Sequence, residues 1–327
     1  MISRRGFLST TIAASVSARF AVKAEAAGKP WRIGWLDHQG IQGDSQAPFV
    51  TALKELGYAE GRDFMVEVRH AERQFDQMPA LAADLVSRKV DLIIANGDPA
   101  ISVAKAATNT IPIVMVGSED PVGLGFAASL SRPGGNITGI SNIEADLAGK
   151  QLDFLKQAVP PLNRVLVLTN ATIGAKERAQ QRTLAVAQAL HLSLDIDEVK
   201  DLRAAKEIFA AMTVHPPDGV LVVSGQLLDR PAQIGIVKLA LQQKIPLVTD
   251  DVYMTFEGGL MSYMASYGPQ AQRAAWYADK ILKGSKAADL PIEQPTEVRL
   301  TVNLETAKTI GVTIPQSLVL RADQVIE

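Results

Sequence analysis

The stretch Val90–Gly123, VDLIIANGDPAISVAKAATNTIPIVMVGSEDPVG, constrains the fold more than any other part of the chain. An apolar run from Val90 to Ala95 meets a polar turn, Asn96-Gly97-Asp98-Pro99. A helical pattern then runs to about Thr108, and a second apolar run, Ile111 to Val116, meets a second polar turn. Runs this short, rich in Ile and Val and bounded by Gly and Pro, suit strands buried on both faces of a parallel sheet. Ligands of such sheets sit beyond the carboxyl ends of the strands, where helix N-termini point N–H groups into a crevice. Both polar turns fall on that edge.

The flanking sequence extends the same pattern. Trp31 to Leu36 reads as a strand, followed by a long polar loop, Asp37 to Gln46, and a helix carrying Phe49, Leu53 and Leu56 that stops at Gly57. Phe64 to Arg69 alternates like an edge strand, and Met78 to about Ser87 reads as a helix. The resulting β-α-β-α-β-α-β order is that of an open, doubly wound sheet. A short helix is expected over Val122 to Leu130, then a turn-dense break at Arg132-Pro133-Gly134-Gly135-Asn136 and a strand over Ile137 to Ser141.

After a helix from about Leu147 to Ala158, the grammar repeats. Strands are expected at Val165–Thr169, Leu192–Ile196, Gly219–Val223 and Ile245–Val248, separated by helices at Ala175–Leu190, Leu202–Met212 and Asp229–Gln242. An apolar segment, Gly258 to Ala265, precedes a helix over Pro269 to Leu282. A strand over Val298 to Val302, a short helix over Leu304 to Ile310 and an ordered tail follow. The fold class is therefore α/β, with two doubly wound parallel-sheet lobes. Passages near Ile140, Ala265 and Pro295 can carry the chain between them as a three-segment hinge. Lobe 1 is expected to comprise residues 31–141 plus 265–294, and lobe 2 residues 142–264 plus 295–327.

Matched halves imply matched ligand edges. On the first edge the candidate contacts are His38, Asn96, Gly97, Asp98, Ser118 and Glu119; facing them are Asn170, Gln226 and Asp250, and Asn142 is a further candidate. Tyr267 lies near the same edges and can stack on a planar ligand. Asp98 also suits the N-cap of the helix that Pro99 would open, with Ser118 and Glu119 more exposed to the cleft. Adjacent side chains after a strand point to opposite faces, so Asp250 and Asp251 are not expected to share a proton. One is expected to face the cleft and the other to cap the following turn.

Composition removes other classes. Without cysteine the chain has no disulfide, thiolate metal site, cysteine nucleophile or lipidated cysteine. A net charge of −2 with dispersed Lys and Arg gives no footprint for nucleic acid. Gly123-Leu124-Gly125-Phe126-Ala127-Ala128 matches a dinucleotide fingerprint in letters, but Ser118 to Val122 separate it from the strand it would have to follow. His38, His70, His191 and His215 have no metal-ligand spacing, and no Gly-x-Ser-x-Gly elbow occurs. No metal, cofactor or catalytic residue is expected. The alternative that keeps the same cleft is an exported α/β enzyme, a hydrolase or oxidoreductase.

At the N-terminus, Ser3-Arg4-Arg5-Gly6-Phe7-Leu8, a weakly apolar stretch and Ala24 to Ala26 resemble a twin-arginine export signal over residues 1–26. Its cleavage would leave a soluble periplasmic protein.

Several motifs occur in order: the opening stretch, Asp120-Pro121-Val122-Gly123, Arg132 to Gly139, Val302-Asn303-Leu304-Glu305-Thr306-Ala307-Lys308, and Arg321-Ala322-Asp323. Together they resemble the ABC transporter substrate-binding proteins of the TrpX-like group over essentially the whole mature chain. The resemblance implies a type I periplasmic binding protein fold that holds a small organic solute (an amino acid, an aromatic or a carboxylate compound) between two lobes. It further implies delivery to the membrane permease of an ABC importer, by a protein expected to be monomeric. In that arrangement the helix over Pro269 to Leu282 rejoins the first lobe and the C-terminal segment the second. The group often has Thr or Ser where this chain has Asp98, and a carboxylate there would oppose a ligand carboxylate drawn to the same helix N-terminus.

Overall fold

The computed structural model describes residues 29–38, 46–169, 176–223 and 228–327, with the side chains of 144–146 and 176–182 left aside. The expected export signal, Asn170 and Gln226 lie outside the described residues. In chain order the first half contains β1 (Trp31–Asp37), α1 (Ala47–Glu55), β2 (Phe64–His70), α2 (Met78–Ser87), β3 (Leu92–Asn96), α3 (Gly97–Ala107), β4 (Ile113–Ser118) and β5 (Ile137–Ser141). The second half contains α4 (Glu144–Ala158), β6 (Arg164–Thr169), α5 (Lys176–Ala189), β7 (Ser193–Glu198), α6 (Leu202–Ala211), β8 (Gly219–Val223), α7 (Arg230–Gln242), β9 (Leu247–Thr249), α8 (Val252–Phe256) and β10 (Met261–Ala265). The chain ends with α9 (Tyr267–Leu282), β11 (Val298–Asn303), α10 (Leu304–Ile310), α11 (Gln316–Val319) and β12 (Gln324–Ile326).

Two sheets result, ordered β2-β1-β3-β4-β5 and β12-β11-β10-β9-β8-β6-β7. The first is parallel throughout. The second is parallel except where β11 runs antiparallel to β10. Strand alternation explains why each sheet is covered on both faces. In β3, Leu92 and Ile94 pack with Phe49 and Leu53 of α1 and the apolar face of α9, whereas Ile93 and Ala95 pack with Leu85 of α2 and Ile101 of α3. The second sheet divides likewise: Val165 and Val167 face the α4 side, Leu166 and Leu168 the α6 and α7 side. Each fully buried leucine or isoleucine in these layers stabilises the fold by about 1.5–3 kcal/mol.

The chain passes between the sheets three times. After β5 it enters α4, which packs on β8, β9 and β10; after β10 it returns as α9 against α1, β4 and β5; beyond Ala287–Asp289 it re-enters the second sheet as β11. Two of these passages are paired. Ser141 donates its N–H to the Glu293 carbonyl at 2.8 Å, and the Glu293 N–H returns to the Gly139 carbonyl at 3.0 Å. The third is braced by Ser266 N–H to the Glu297 carbonyl at 3.0 Å.

Three local expectations are corrected. Residues 122–130 form successive turns rather than a helix. Asp120 Oδ1 accepts the Gly123 N–H, the Pro121 carbonyl takes both the Phe126 and Ala127 N–H groups, and Gly125 has φ +69°, so helical pairing has no continuous path. Helix α9 starts at Tyr267, two residues before Pro269, because a proline in the first turn lacks only an N–H that would be unpaired anyway. Helix α4 starts at Glu144, ahead of Leu147.

Gly139 has φ +130°, and a β-carbon there would run into the Met115 backbone of β4. Gly139→Ala is therefore expected to destabilise the protein by about 3 kcal/mol or more, seen as a lowered midpoint in chemical unfolding, without altering the composition of the ligand edge.

Candidate ligand-binding site

Parallel pairing places the ends of the first sheet's strands side by side, Asp37 opposite Asn96 and Ser118 opposite Ser141. All four are polar, yet none is more than 5% exposed. Asn96 Nδ2 donates to Asp37 Oδ2 at 3.3 Å. His38 follows β1 directly, is buried, and lies 2.9 Å through Nδ1 from the Asn96 carbonyl. A carbonyl can only accept, so Nδ1 carries the hydrogen, and the neutral ring then presents Nε2 as an acceptor. Burial keeps the ring neutral by lowering its pKa; the Asp37 carboxylate and the Asn96 carbonyl pull the other way. Nε2 has no partner. Gly97, at φ +77°, makes room for this ring: a β-carbon there would stand 2.7 Å from His38 Cε1.

Asp98 is not the N-cap of α3, and Pro99 does not open the helix. The helix begins at Gly97, and Asn96 at the capping position makes no side-chain cap. Its amide is drawn to Asp37, while the Asp98 carboxylate reaches sideways so that Oδ2 accepts the Glu119 N–H at 3.3 Å. Asp98 is 5% exposed, and among the described residues Oδ1 has no partner. Burial pushes its pKa up to about 6, against the lowering influence of the nearby Ser118 hydroxyl and the Glu119 N–H, and the Asp120 charge adds to the rise. No well-formed hydrogen bond engages the Ser118 hydroxyl. Ser118 is also fully buried rather than exposed to the cleft, and Glu119 is partly buried.

Asn142 extends the edge. Its N–H donates to the Ser118 carbonyl at 2.5 Å and its Oδ1 accepts the Ile143 N–H at 2.8 Å, which leaves Nδ2 unpartnered. From α9, Tyr267 joins Trp35, Pro48, Asn96, Val116, Gly268 and Ala271 around a small pocket open to solvent. Trp35 Nε1 and both amide atoms of buried Gln270 are unpartnered as well. Buried polar atoms without partners are scarce in folded proteins, and among the described residues several lie at or beside this sheet edge, others standing apart at Glu67, Gln151, Thr255 and Ser262. A polar solute would satisfy those at the edge.

On the second sheet, Asp250 and Asp251 follow β9 and both are buried. Asp251 caps α8: Oδ1 accepts the Tyr253 N–H at 2.9 Å and Oδ2 the Gln233 amide at 2.7 Å. Burial raises its pKa, offset by the Tyr253 N–H and by the charges of Arg73 and Arg230. Asp250 lies beside it at the same edge. Arg73 and Arg230 were not among the candidates from sequence. Arg73, in the loop after β2, crosses to the second half and donates through Nη1 to the Leu228 carbonyl. Burial lowers its pKa, and the charges of Asp251, Arg230 and Asp229 act on it. Arg230, at the start of α7, stacks 4.7 Å from the Tyr253 ring. The signal for Arg73 was its place just past the carboxyl end of β2, an edge position equivalent to His38. Gln270 was legible only as Tyr267 plus one helical turn.

The family profile described as ABC transporter substrate binding protein matches residues 35–326. The chain belongs to that family. A tyrosine-binding protein of Clostridioides difficile is 27% identical over 264 residues, 80% of this chain and 75% of that protein. Among solved structures, a conserved domain protein from Vibrio cholerae superposes with a TM-score of 0.83 at 21% identity, over 91% of this chain and all of the other. The ABC domain in complex with L-Trp from Streptococcus pneumonia does so with 0.81 at 23%, over 91% and 100%. A ligand-free, open substrate-binding protein from Clostridium difficile gives 0.70 at 22%, over 90% and 99%. The fold is thus the type I periplasmic binding protein fold. This substrate-binding protein is a binder rather than an enzyme, and the alternative of an exported hydrolase or oxidoreductase falls with that assignment.

Asp98 links the site to stability. Its ordinary value of 3.8 rises to about 6 in the fold, so the folded protein holds more protons than the unfolded chain between those values. Stability therefore falls as pH rises through that window and stays lower above it. A shift of this size corresponds to about 3 kcal/mol at neutral pH. Asp98→Asn is expected to raise ligand-free stability by about 1–3 kcal/mol near neutral pH and by little near pH ~4, measured by urea unfolding at both.

Proposed function

We propose that this protein is the periplasmic solute-capturing component of an ABC importer, exported after cleavage of the signal over residues 1–26, and acting as a monomer. Residues 31–141 plus 265–294 serve as one lobe and 142–264 plus 295–327 as the other. The observation that carries this reading is the row of buried, unpartnered polar atoms at the carboxyl edge of the first sheet: Trp35 Nε1, His38 Nε2, Asp98 Oδ1, Ser118 Oγ, Asn142 Nδ2 and the Gln270 amide. A small organic solute entering there exchanges its hydrogen bonds to water for these groups. His38, Asn96, Gly97, Asp98, Ser118, Glu119 and Tyr267 contribute from the first lobe, Asn170, Gln226 and Asp250 from the second, and Asn142 from the crossing between them.

Amino acids, aromatic compounds and carboxylates are the solute classes to test. Support comes from the relatives, one named for tyrosine and another solved with L-Trp, and from Trp35 and Tyr267 at the pocket wall. Capture works by shifting the balance between open and closed arrangements, through contacts that exist only when both lobes engage. Arg73 belongs to the first lobe and bonds the Leu228 carbonyl of the second, so it favours closure whether or not it touches the solute.

A thermal-shift screen of the mature protein against amino acids, aromatic acids and small carboxylates, followed by calorimetry, is expected to yield a ligand of about micromolar affinity, about 8 kcal/mol. A stabilising compound recovered chemically changed would contradict simple capture. Arg73→Ala is expected to weaken that ligand at least about tenfold by removing a charged hydrogen bond between the lobes. An affinity unchanged in the folded variant would remove Arg73 from the closing machinery.

A further inference from the structure

Asp98 is a buried acid without a base. Its carboxylate has only neutral protein donors, the Glu119 N–H at 3.3 Å and the nearby Ser118 hydroxyl, and the charge that acts on it, Asp120, has its own sign. Oδ1 is unpartnered although the residue is 95% buried, as read from its 5% exposure. The His38 ring packs against Gly97, the residue before Asp98, and supplies a second, independent acceptor. Nδ1 is committed to the Asn96 carbonyl, so Nε2 offers a lone pair, and it too is buried and unpartnered. Two acceptor atoms thus flank the start of α3, and among the described residues neither has a hydrogen-bond partner.

The polarity of this corner is the reverse of an anion site. A helix N-terminus attracts negative charge, but here the chain has already placed a carboxylate of its own in the first turn. A ligand carboxylate brought to the same place would meet Asp98 at close range in a poorly solvated setting. An ammonium group would instead give N–H donors to both acceptors and neutralise the buried charge. The cationic side chains that act across the lobes, Arg73 and Arg230, are grouped around Asp251 at the opposing edge.

Resting on solute capture as proposed above, we infer that the α3 end of the cleft is an amine subsite: Asp98 Oδ1 and His38 Nε2 receive a primary amino group of the solute. An acidic or polar remainder of the solute then points toward Arg73 and Arg230. Asp98 is accordingly the specificity-determining residue, selecting amine-bearing solutes and rejecting otherwise identical acids.

The test uses the mature chain and matched probes in calorimetry: L-tyrosine, tyramine, which keeps the amine and lacks the carboxylate, and 3-(4-hydroxyphenyl)propionate, which keeps the carboxylate and lacks the amine. The corresponding set from L-tryptophan is tryptamine and indole-3-propionate. Each set is measured on wild type and on Asp98→Asn. The expected result is that removing the amine weakens wild-type binding at least about tenfold, and that Asp98→Asn weakens the amine-bearing probe by a similar factor while the deaminated acid binds unchanged or tighter. A deaminated acid that binds wild type as tightly as its amino acid overturns the inference. So does an amino-acid affinity within about twofold of wild type in Asp98→Asn.

If neither set binds, the ligands found in the wider thermal-shift screen decide. Stabilising compounds that all lack an amino group overturn the amine subsite and leave solute capture standing, whereas no stabilising compound of any class overturns solute capture itself. The wild-type comparisons hold whether or not the variant folds.

Discussion

Parallel pairing is the constraint on which the rest of this structure depends. Because β1, β3, β4 and β5 all point the same way, Asp37, Asn96, Ser118 and Ser141 end in one row, and the helix and loop starts that follow them are forced onto the same side. The pairing is itself locked near the lobe crossings. Glu293 exchanges backbone hydrogen bonds with Gly139 and Ser141, and its carboxylate takes two hydrogen bonds from the Arg273 guanidinium of α9, at 2.7 and 2.6 Å. That guanidinium also lies 3.8 Å from the Trp276 ring. Two crossings and one helix are thereby held as a unit, and a change in the angle between the sheets must be absorbed by backbone outside it.

The ligand edge is assembled at the expense of local stability. A carboxylate with only neutral donors, a histidine kept neutral by burial and a glutamine with neither amide atom engaged are all arrangements that an isolated fold would avoid. Arg73 adds backbone strain, since it and Glu72 are consecutive non-glycine residues at φ +63° and +48°. The bonds from Arg73 N–H to the His38 carbonyl and from Gln74 N–H to the Ala71 carbonyl hold that loop in place. Several of these costs fall together where a third body has interactions to contribute.

Much of this architecture was legible in the chain. Short Ile- and Val-rich runs between polar turns identify buried parallel strands, and their repetition after Arg164 identifies the second sheet. The residues at the strand ends followed from the strand assignments alone, which is why His38, Asn96, Ser118 and Asp250 were accessible. What periodicity does not carry is the direction of a polar side chain. Asp98 beside Pro99 has every local mark of an N-cap, yet a tertiary partner, the Glu119 N–H, outcompetes the helix end for its carboxylate. Residues 122–130 have helical composition, but the turn set by Asp120 and Gly125 prevails. Arg73 and Gln270 act through contacts between elements distant in sequence, and their own segments mark only their positions, past the end of β2 and one turn beyond Tyr267, not those contacts.

The bond from Arg73 to position 228 ends on a main-chain oxygen, not on a side chain. Every amino acid offers that oxygen, so substitutions at residue 228 leave the acceptor in place as long as the backbone keeps its course. The neighbouring loop on the second half can therefore change its side chains, and with them the solutes it suits, while the grip between the two halves persists. Recognition and closure are thus separable under sequence drift on one side of the cleft. On the other side they remain bound to a single arginine.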